Sequence, residues 1–230
     1  MAPVYHGKKG RATRWAVLTA VAAGALTAAS AAQAYGRQDL PEDDIVRDVD
    51  SAARRMDEPL RPERAPGFRA TDMYGKEMAL ADYQGANVVL TFLSPACIEE
   101  AVAWLKGVQN NYMGQRDIVF VNILHPGPTP AFSSRSASLK KIREKIEDFY
   151  TKARQQMPED ERKRLESTEI RWIVDWKRDL HERYDAIADR VTILLIDKNG
   201  KVRTQLGHRT PENERRLAEV LDGMRATAQE

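Results

Sequence analysis

VVLTFLSPAC, residues 88–97, decides how this chain folds. Its first six residues are all apolar or β-branched. The run is too short for a helix and too uniformly apolar for a half-exposed strand, so it predicts a strand buried on both faces. Ser94, Pro95 and Ala96 break the run, and residues 98–111 then carry apolar residues at helical spacing. Cys97 therefore falls where a strand hands over to a helix. The unpaired N–H groups and the dipole of a first helical turn favour negative charge, so this position is expected to acidify the thiol and enrich the thiolate, its nucleophilic form. The alternative is a buried, inert cysteine.

Working outward, residues 118–124 form a second apolar run. Two such runs separated by an amphipathic helix make a βαβ unit with parallel strands. His125-Pro126-Gly127-Pro128 ends the second strand. Upstream, residues 68–80 predict a small hairpin turning at Gly75, with the domain starting near Pro66. Downstream, Leu139, Ile142, Ile146, Phe149, Ala153 and Met157 recur at helical spacing in a heavily charged background. Pro158 interrupts this pattern and opens a second helix at its first position, 159–166. This insert, about 133–167, is expected to be a solvated amphipathic helix lying on the domain or an arm for a protein partner. Residues 170–174 and 191–196 are strands, with a helix at 179–186 between them. Lys198-Asn199-Gly200-Lys201 turns the second of these into 202–206. Thr210 and Pro211 start a closing helix that runs to about 227.

Residues 1–34 are expected to be a signal peptide. They hold a basic start (Lys8, Lys9, Arg11, Arg14), an apolar Ala-rich stretch at 15–31 and the small-x-small triplet Ala32-Gln33-Ala34. The alternative is an uncleaved membrane anchor. Either reading exports the domain, to a periplasm or beyond the cell, and membrane attachment is expected only if the leader is retained. Residues 35–65 read as a linker or N-terminal arm with one short helix near 45–56, and 66–228 as the domain. The four cations of the leader turn the +2 of the whole chain into −2 for the remainder. Nothing suggests the clustered basic face that nucleic acid requires. The chain has one cysteine, which excludes an internal disulfide framework and marks Cys97 as a free thiol or an intermolecular partner. Its four histidines are scattered without ligand spacing, so neither a metal nor another cofactor is expected. No glycine-rich phosphate loop or serine-hydrolase elbow occurs.

The order hairpin, β, α, β, helical insert, β, α, β, β, α, with a cysteine directly after the first core strand, resembles the thioredoxin fold. The expected class is α/β, with a mixed central sheet flanked by helices and a charged helical insert. APGFRATDMYGKEMALADYQGANVVLTFLSPAC (65–97) and RVTILLIDKNGKV (190–202) look most like the redoxin branch, which includes peroxiredoxins and thiol-disulfide oxidoreductases. The likeness covers most of 66–224 apart from the insert. It implies a thiol-dependent reductase or peroxidase with antioxidant activity, Cys97 as nucleophile and an external thiol as reductant. Ser94 matches the Thr or Ser that peroxiredoxins carry three residues before their reactive cysteine. The departures are specific. Glu100 stands where thiol-disulfide members have their second cysteine. Leu90 stands where peroxiredoxins have a proline. Val191 replaces both the thioredoxin cis-proline and the late peroxiredoxin arginine, with Arg190 one residue away. Iodothyronine deiodinase-like proteins offer a shorter likeness, in His125-Pro126 and in Tyr184-Asp185-Ala186 leading to Arg190. It implies reductive thiol chemistry with a nearby histidine.

The candidate site residues are thus Cys97, Ser94, His125 and Arg190. In a parallel sheet active groups gather at the carboxyl ends of neighbouring strands. If 88–93 and 118–124 are neighbours, His125 is expected near the sulfur, to pair with the thiolate or to donate a proton. Ser94 is expected to cap the helix, to bond the sulfur, or both. Arg190 is expected to stabilise the thiolate and polarise a peroxide. Glu100 is expected either to raise the thiol pKa or, as the favoured reading, to point to solvent. Trp104, Trp172 and Trp176 read as core or rim. A redox-silent, partner-binding thioredoxin-fold module is the competing reading of the whole chain.

Overall fold

Seven consecutive residues of strand Asn87–Leu93 are fully buried, and so are all seven of Ile118–Leu124. The structure, a computed structural model, describes residues 64–127, 134–187 and 189–226. The leader at 1–34, the arm up to residue 63, the short helix near 45–56 and the start of the insert at 133 lie outside these residues.

In chain order the strands are β1 (Arg69–Thr71), β2 (Glu77–Ala79), β3 (Asn87–Leu93), β4 (Ile118–Leu124), β5 (Glu169–Val174), β6 (Thr192–Ile196) and β7 (Val202–Leu206). The helices are α1 (Ile98–Tyr112), α2 (Arg135–Gln156), α3 (Glu159–Glu166), α4 (Asp179–Arg183) and α5 (Pro211–Ala226). β1 and β2 make a separate antiparallel hairpin, and the other five strands form one sheet in the order β5-β4-β3-β6-β7. β4 runs parallel to β3 with Leu93 opposite Leu124, and parallel to β5 with Leu124 opposite Val174. β6 runs antiparallel to β3, and β7 antiparallel to β6. The sheet is mixed, as expected, and β3, apolar apart from Asn87 and Thr91, lies at its centre.

The pleat sorts this apolar run into two cores. Val89, Leu93, Phe120, Leu124, Val191, Ile193 and Leu195 pack on one face with α1, α2 and α5. Val88, Leu90, Phe92, Val121, Ile123, Leu194 and Ile196 pack on the other, with the hairpin and the residues of α4 and the turn that follows it. Each fully buried Leu or Phe here contributes on the order of 2 kcal/mol of transfer free energy.

The insert belongs to the first core. Ser134 caps α2, its hydroxyl accepting from the Ala137 N–H at 3.2 Å. Ile146 is buried, and Leu139, Ile142 and Phe149 pack against the first core from the same helix. α3 is tied to the turn after α1, where the Arg164 Nε donates to the Met113 carbonyl at 3.1 Å and the Gly114 N–H donates to the Thr168 hydroxyl at 2.8 Å. The apolar stripe of α2 is therefore covered by its own domain.

Several boundaries differ from the sequence reading. Pro158 is the cap of α3 and precedes its first helical residue. α4 stops at Arg183, short of 186, because Asp185 adopts a left-handed conformation (φ 50°) and the Ala186 N–H reaches back to the His181 carbonyl at 2.8 Å. Pairing begins before Pro66. The Ala65 N–H donates to the Gly200 carbonyl at 2.8 Å, and the Ala65 side chain is buried in the second core.

Candidate functional site

Ser94 ends β3 in an extended conformation (φ −140°, ψ 171°), and a single turn of 3-10 helix, Pro95–Cys97, leads into α1. The Ser94 hydroxyl accepts from the Ala96 N–H at 3.2 Å and lies 3.7 Å from the Cys97 Sγ. The Ser94 N–H donates to that sulfur at 3.3 Å, and the thiol points back to the Ser94 carbonyl at 3.6 Å. Ser94 thus bonds the sulfur and caps the 3-10 turn, whereas the cap residue of α1 itself is Cys97, without a side-chain capping hydrogen bond.

Cys97 is not acidified. It is 6 % exposed and belongs to the first core, among Leu93, Ile98 and Ala101. Burial pushes its pKa up. The hydrogen bonds from Ser94 pull in the opposite direction without prevailing, and the negative charge of Glu100 adds to the rise. The helix-terminus argument fails because desolvation outweighs it. Glu100 does not simply point to solvent either. Its carboxylate accepts from the Arg209 N–H at 2.6 Å and lies 3.3 Å from the His208 ring, which pins the loop after β7 beside the first turn of α1.

His125 follows β4 as expected, on the strand neighbouring β3, with its N–H donating to the Leu93 carbonyl at 2.9 Å. Its ring is engaged elsewhere. The Nδ1 donates to the Asp175 carbonyl at 3.0 Å, and the ring sits edge-on to His181 with centroids 5.7 Å apart. Apart from its own backbone N–H, the sulfur's hydrogen-bond partners among the described residues all lie on Ser94. The pleat is the physical reason: Leu124 faces the core that holds Cys97, so the next residue turns to the opposite face. Arg190 meets the same fate. Val191 enters the core of Cys97, whereas Arg190 closes a turn, its N–H bonding the Ile187 carbonyl at 3.2 Å. Its guanidinium forms no hydrogen bond or ion pair among the described residues. Tyr184, from the deiodinase-like stretch, gives its hydroxyl to the Pro66 carbonyl in the second core. Trp104 and Trp172 are core residues, and Trp176 is half-buried at the rim.

Sequence reasoning missed a buried acid–imidazole pair beside His125. Asp175 follows β5, its N–H donating to the Leu124 carbonyl at 2.8 Å. Its Oδ2 accepts from the Leu180 N–H and the His181 N–H, both at 3.0 Å, and from the His181 Nδ1 at 2.9 Å. His181 is 0 % exposed and lies edge-on to Phe92 with centroids 5.1 Å apart. Burial pulls the Asp175 pKa up, but the hydrogen bonds and charge of His181 with the Leu180 N–H outweigh it, and the carboxyl titrates below its usual range. A carboxylate can only accept, so the His181 Nδ1 carries a proton. The available signal was an acid a few residues before a short helix, a remote cap.

No protein-family model and no curated protein matches the chain. Solved structures do match. A proposed protein disulfide isomerase from Bacteroides thetaiotaomicron is 19% identical, covering 73% of this chain and 91% of its own, with a TM-score of 0.50. A proposed thiol:disulfide interchange protein from Chlorobium tepidum is 21% identical over 72% of this chain and 97% of its own, at 0.49. An exposed lipoprotein thioredoxin from Streptococcus pneumoniae is 19% identical over 68% of this chain and 99% of its own, at 0.42. Together with the β5-β4-β3-β6-β7 sheet, the likeness at 0.50 shows that the chain has a thioredoxin-like fold.

Proposed function

We propose that this chain is an exported, single-cysteine redox protein of the thioredoxin fold, in which Cys97 reduces a peroxide or another oxidised substrate. The observation that carries the reading is the placement of the chain's only thiol at the carboxyl end of the central strand, with the Ser94 N–H donated onto its sulfur at 3.3 Å. In the peroxide case the Cys97 thiolate attacks the terminal peroxide oxygen. An S–O bond forms, the O–O bond breaks, and the alkoxide or hydroxide leaves and takes a proton. The sulfur is oxidised to a sulfenic acid. With no second cysteine in the chain, an external thiol must condense with the sulfenic acid, releasing water and forming a mixed disulfide. A second external thiol then displaces Cys97 and leaves as the oxidised disulfide. The basic and apolar residues 1–34 support export.

A redox-silent binding module is the second reading, and burial of Cys97 with its raised pKa is the observation that favours it. Deleting the insert would not test that reading, since α2 forms part of the core. Exposure to mild peroxide followed by a sulfenate-trapping dione, read by intact mass, decides between them. One added trap at Cys97, lost in Cys97→Ser, is the expected result. A sulfur that neither traps nor alkylates in the folded protein, yet alkylates in denaturant, overturns the redox reading.

A further inference from the structure

Beyond the thiol, a groove of about 520 Å³ opens between the β1–β2 turn, the start of α2 and the segment joining β5 to α4. That is a usual size for a small-molecule site. Its walls include the apolar side chains of Ala70, Leu139, Ile173, Val174 and Leu180. Five cations line it: Arg69, Arg135, Arg143, Lys177 and Arg183. Two of these are held over aromatic rings. The Arg135 guanidinium lies 5.9 Å from the Trp176 ring centroid, and that of Arg143 lies 5.4 Å from the ring of Tyr74, an exposed residue. Arg143 is fixed further by the Met73 carbonyl at 3.0 Å, and Arg183 by the Gly67 carbonyl at 2.7 Å. The side chains of Arg69 and Lys177 form no hydrogen bond or ion pair among the described residues.

Three carboxylates share the lining, and two are already spent. Asp72 accepts from the Tyr74 and Lys76 N–H groups, each at 2.9 Å, and faces Arg171 at 3.6 Å. Asp175 is committed to His181. Asp179 remains against the five cations. Glu147 stands beside the Tyr74 hydroxyl, outside the lining.

We propose that this groove binds a small organic anion with a flat apolar body, an aromatic carboxylate being the simplest case. The apolar wall takes the body, and guanidinium groups already oriented by the rings take the carboxylate through paired N–H donors. The proposal stands apart from the chemistry of Cys97.

The test uses the full chain and three probes of one shape: 1-naphthoate, naphthalene and 1-naphthylmethylammonium. Equilibrium dialysis, with Trp fluorescence as a second readout, is expected to show saturable naphthoate binding with a Kd on the order of 1 mM or tighter. The ammonium analogue is expected to bind about 10-fold more weakly or not at all. Arg135→Ala with Lys177→Ala, both exposed positions, is expected to weaken naphthoate about 10-fold while the circular dichroism stays unchanged. Equal binding of anion and cation, a double variant that binds like the parent, or no saturable binding of naphthoate would each overturn the proposal.

Discussion

Cys97 and Asp175 stand at the same carboxyl edge of the sheet and are equally exposed, at 6 %, yet the pKa of the thiol is raised from its ordinary value and that of the carboxyl is lowered. The difference lies in the donors. Asp175 receives two backbone N–H groups and an imidazole N–H within 3.0 Å. Cys97 receives the Ser94 N–H at 3.3 Å, its own backbone N–H, a distant hydroxyl, and the charge of Glu100. Desolvation alone does not set the direction in which a buried group's pKa moves. What is offered to its charged form does.

The largest effect should come from breaking the stronger arrangement. Asp175→Ala strands the His181 ring and removes the cap of α4, and is expected to cost about 3–5 kcal/mol, or ~10 °C in Tm, by thermal denaturation. Asp175→Asn sharpens the same point through pH. The Asp175 carboxyl has a depressed pKa in the folded state, so its contribution is complete above the unfolded carboxyl pKa of about 4 and is lost as pH falls through the lower folded value. Denaturant midpoints measured from pH 5 to about 2 should fall less steeply in Asp175→Asn than in the parent.

At Cys97 the effects are smaller. Iodoacetamide should modify the folded protein slowly at pH 7, with a rate that rises with pH and an apparent pKa above that of an ordinary cysteine, about 8.5. Glu100→Gln keeps an oxygen for the Arg209 N–H but removes the charge, and should raise the rate at pH 7 about 2-fold at low salt. Ser94→Ala removes the nearby hydroxyl and should slow modification by about as much or less. A rate in Glu100→Gln equal to the parent's would mean that donors, not charges, govern the sulfur.

Much of the fold was legible because its signals are local. The bounds of β4 follow from its apolar run, those of β7 from the turn at 198–201 and those of α3 from Pro158, and the spacing of Leu139, Ile142, Ile146 and Phe149 marks the buried stripe of α2. The Thr210 cap is also present, its hydroxyl accepting from the Asn213 N–H at 3.1 Å. The site was less legible. Strand adjacency brought His125 to the correct edge, but adjacency without the pleat does not say which face a side chain takes. Counting alternate residues back from Leu124 would have turned the ring away from Cys97. The Asp175–His181 pair depends on Arg178 adopting a left-handed conformation (φ 66°), which lets the chain fold back on the end of β5, and nothing in Trp176-Lys177-Arg178 announces that.

The hairpin turn also has a consequence for self-association. Asp72 bridges to Ile173, and the Met73 N–H donates to the Trp172 carbonyl at 2.8 Å, so backbone positions on the outer margin of β5 are already occupied. A second molecule cannot add a strand there without first displacing the turn. The chain thereby guards one flank of its sheet against templated stacking of copies, a hazard that open strand margins carry.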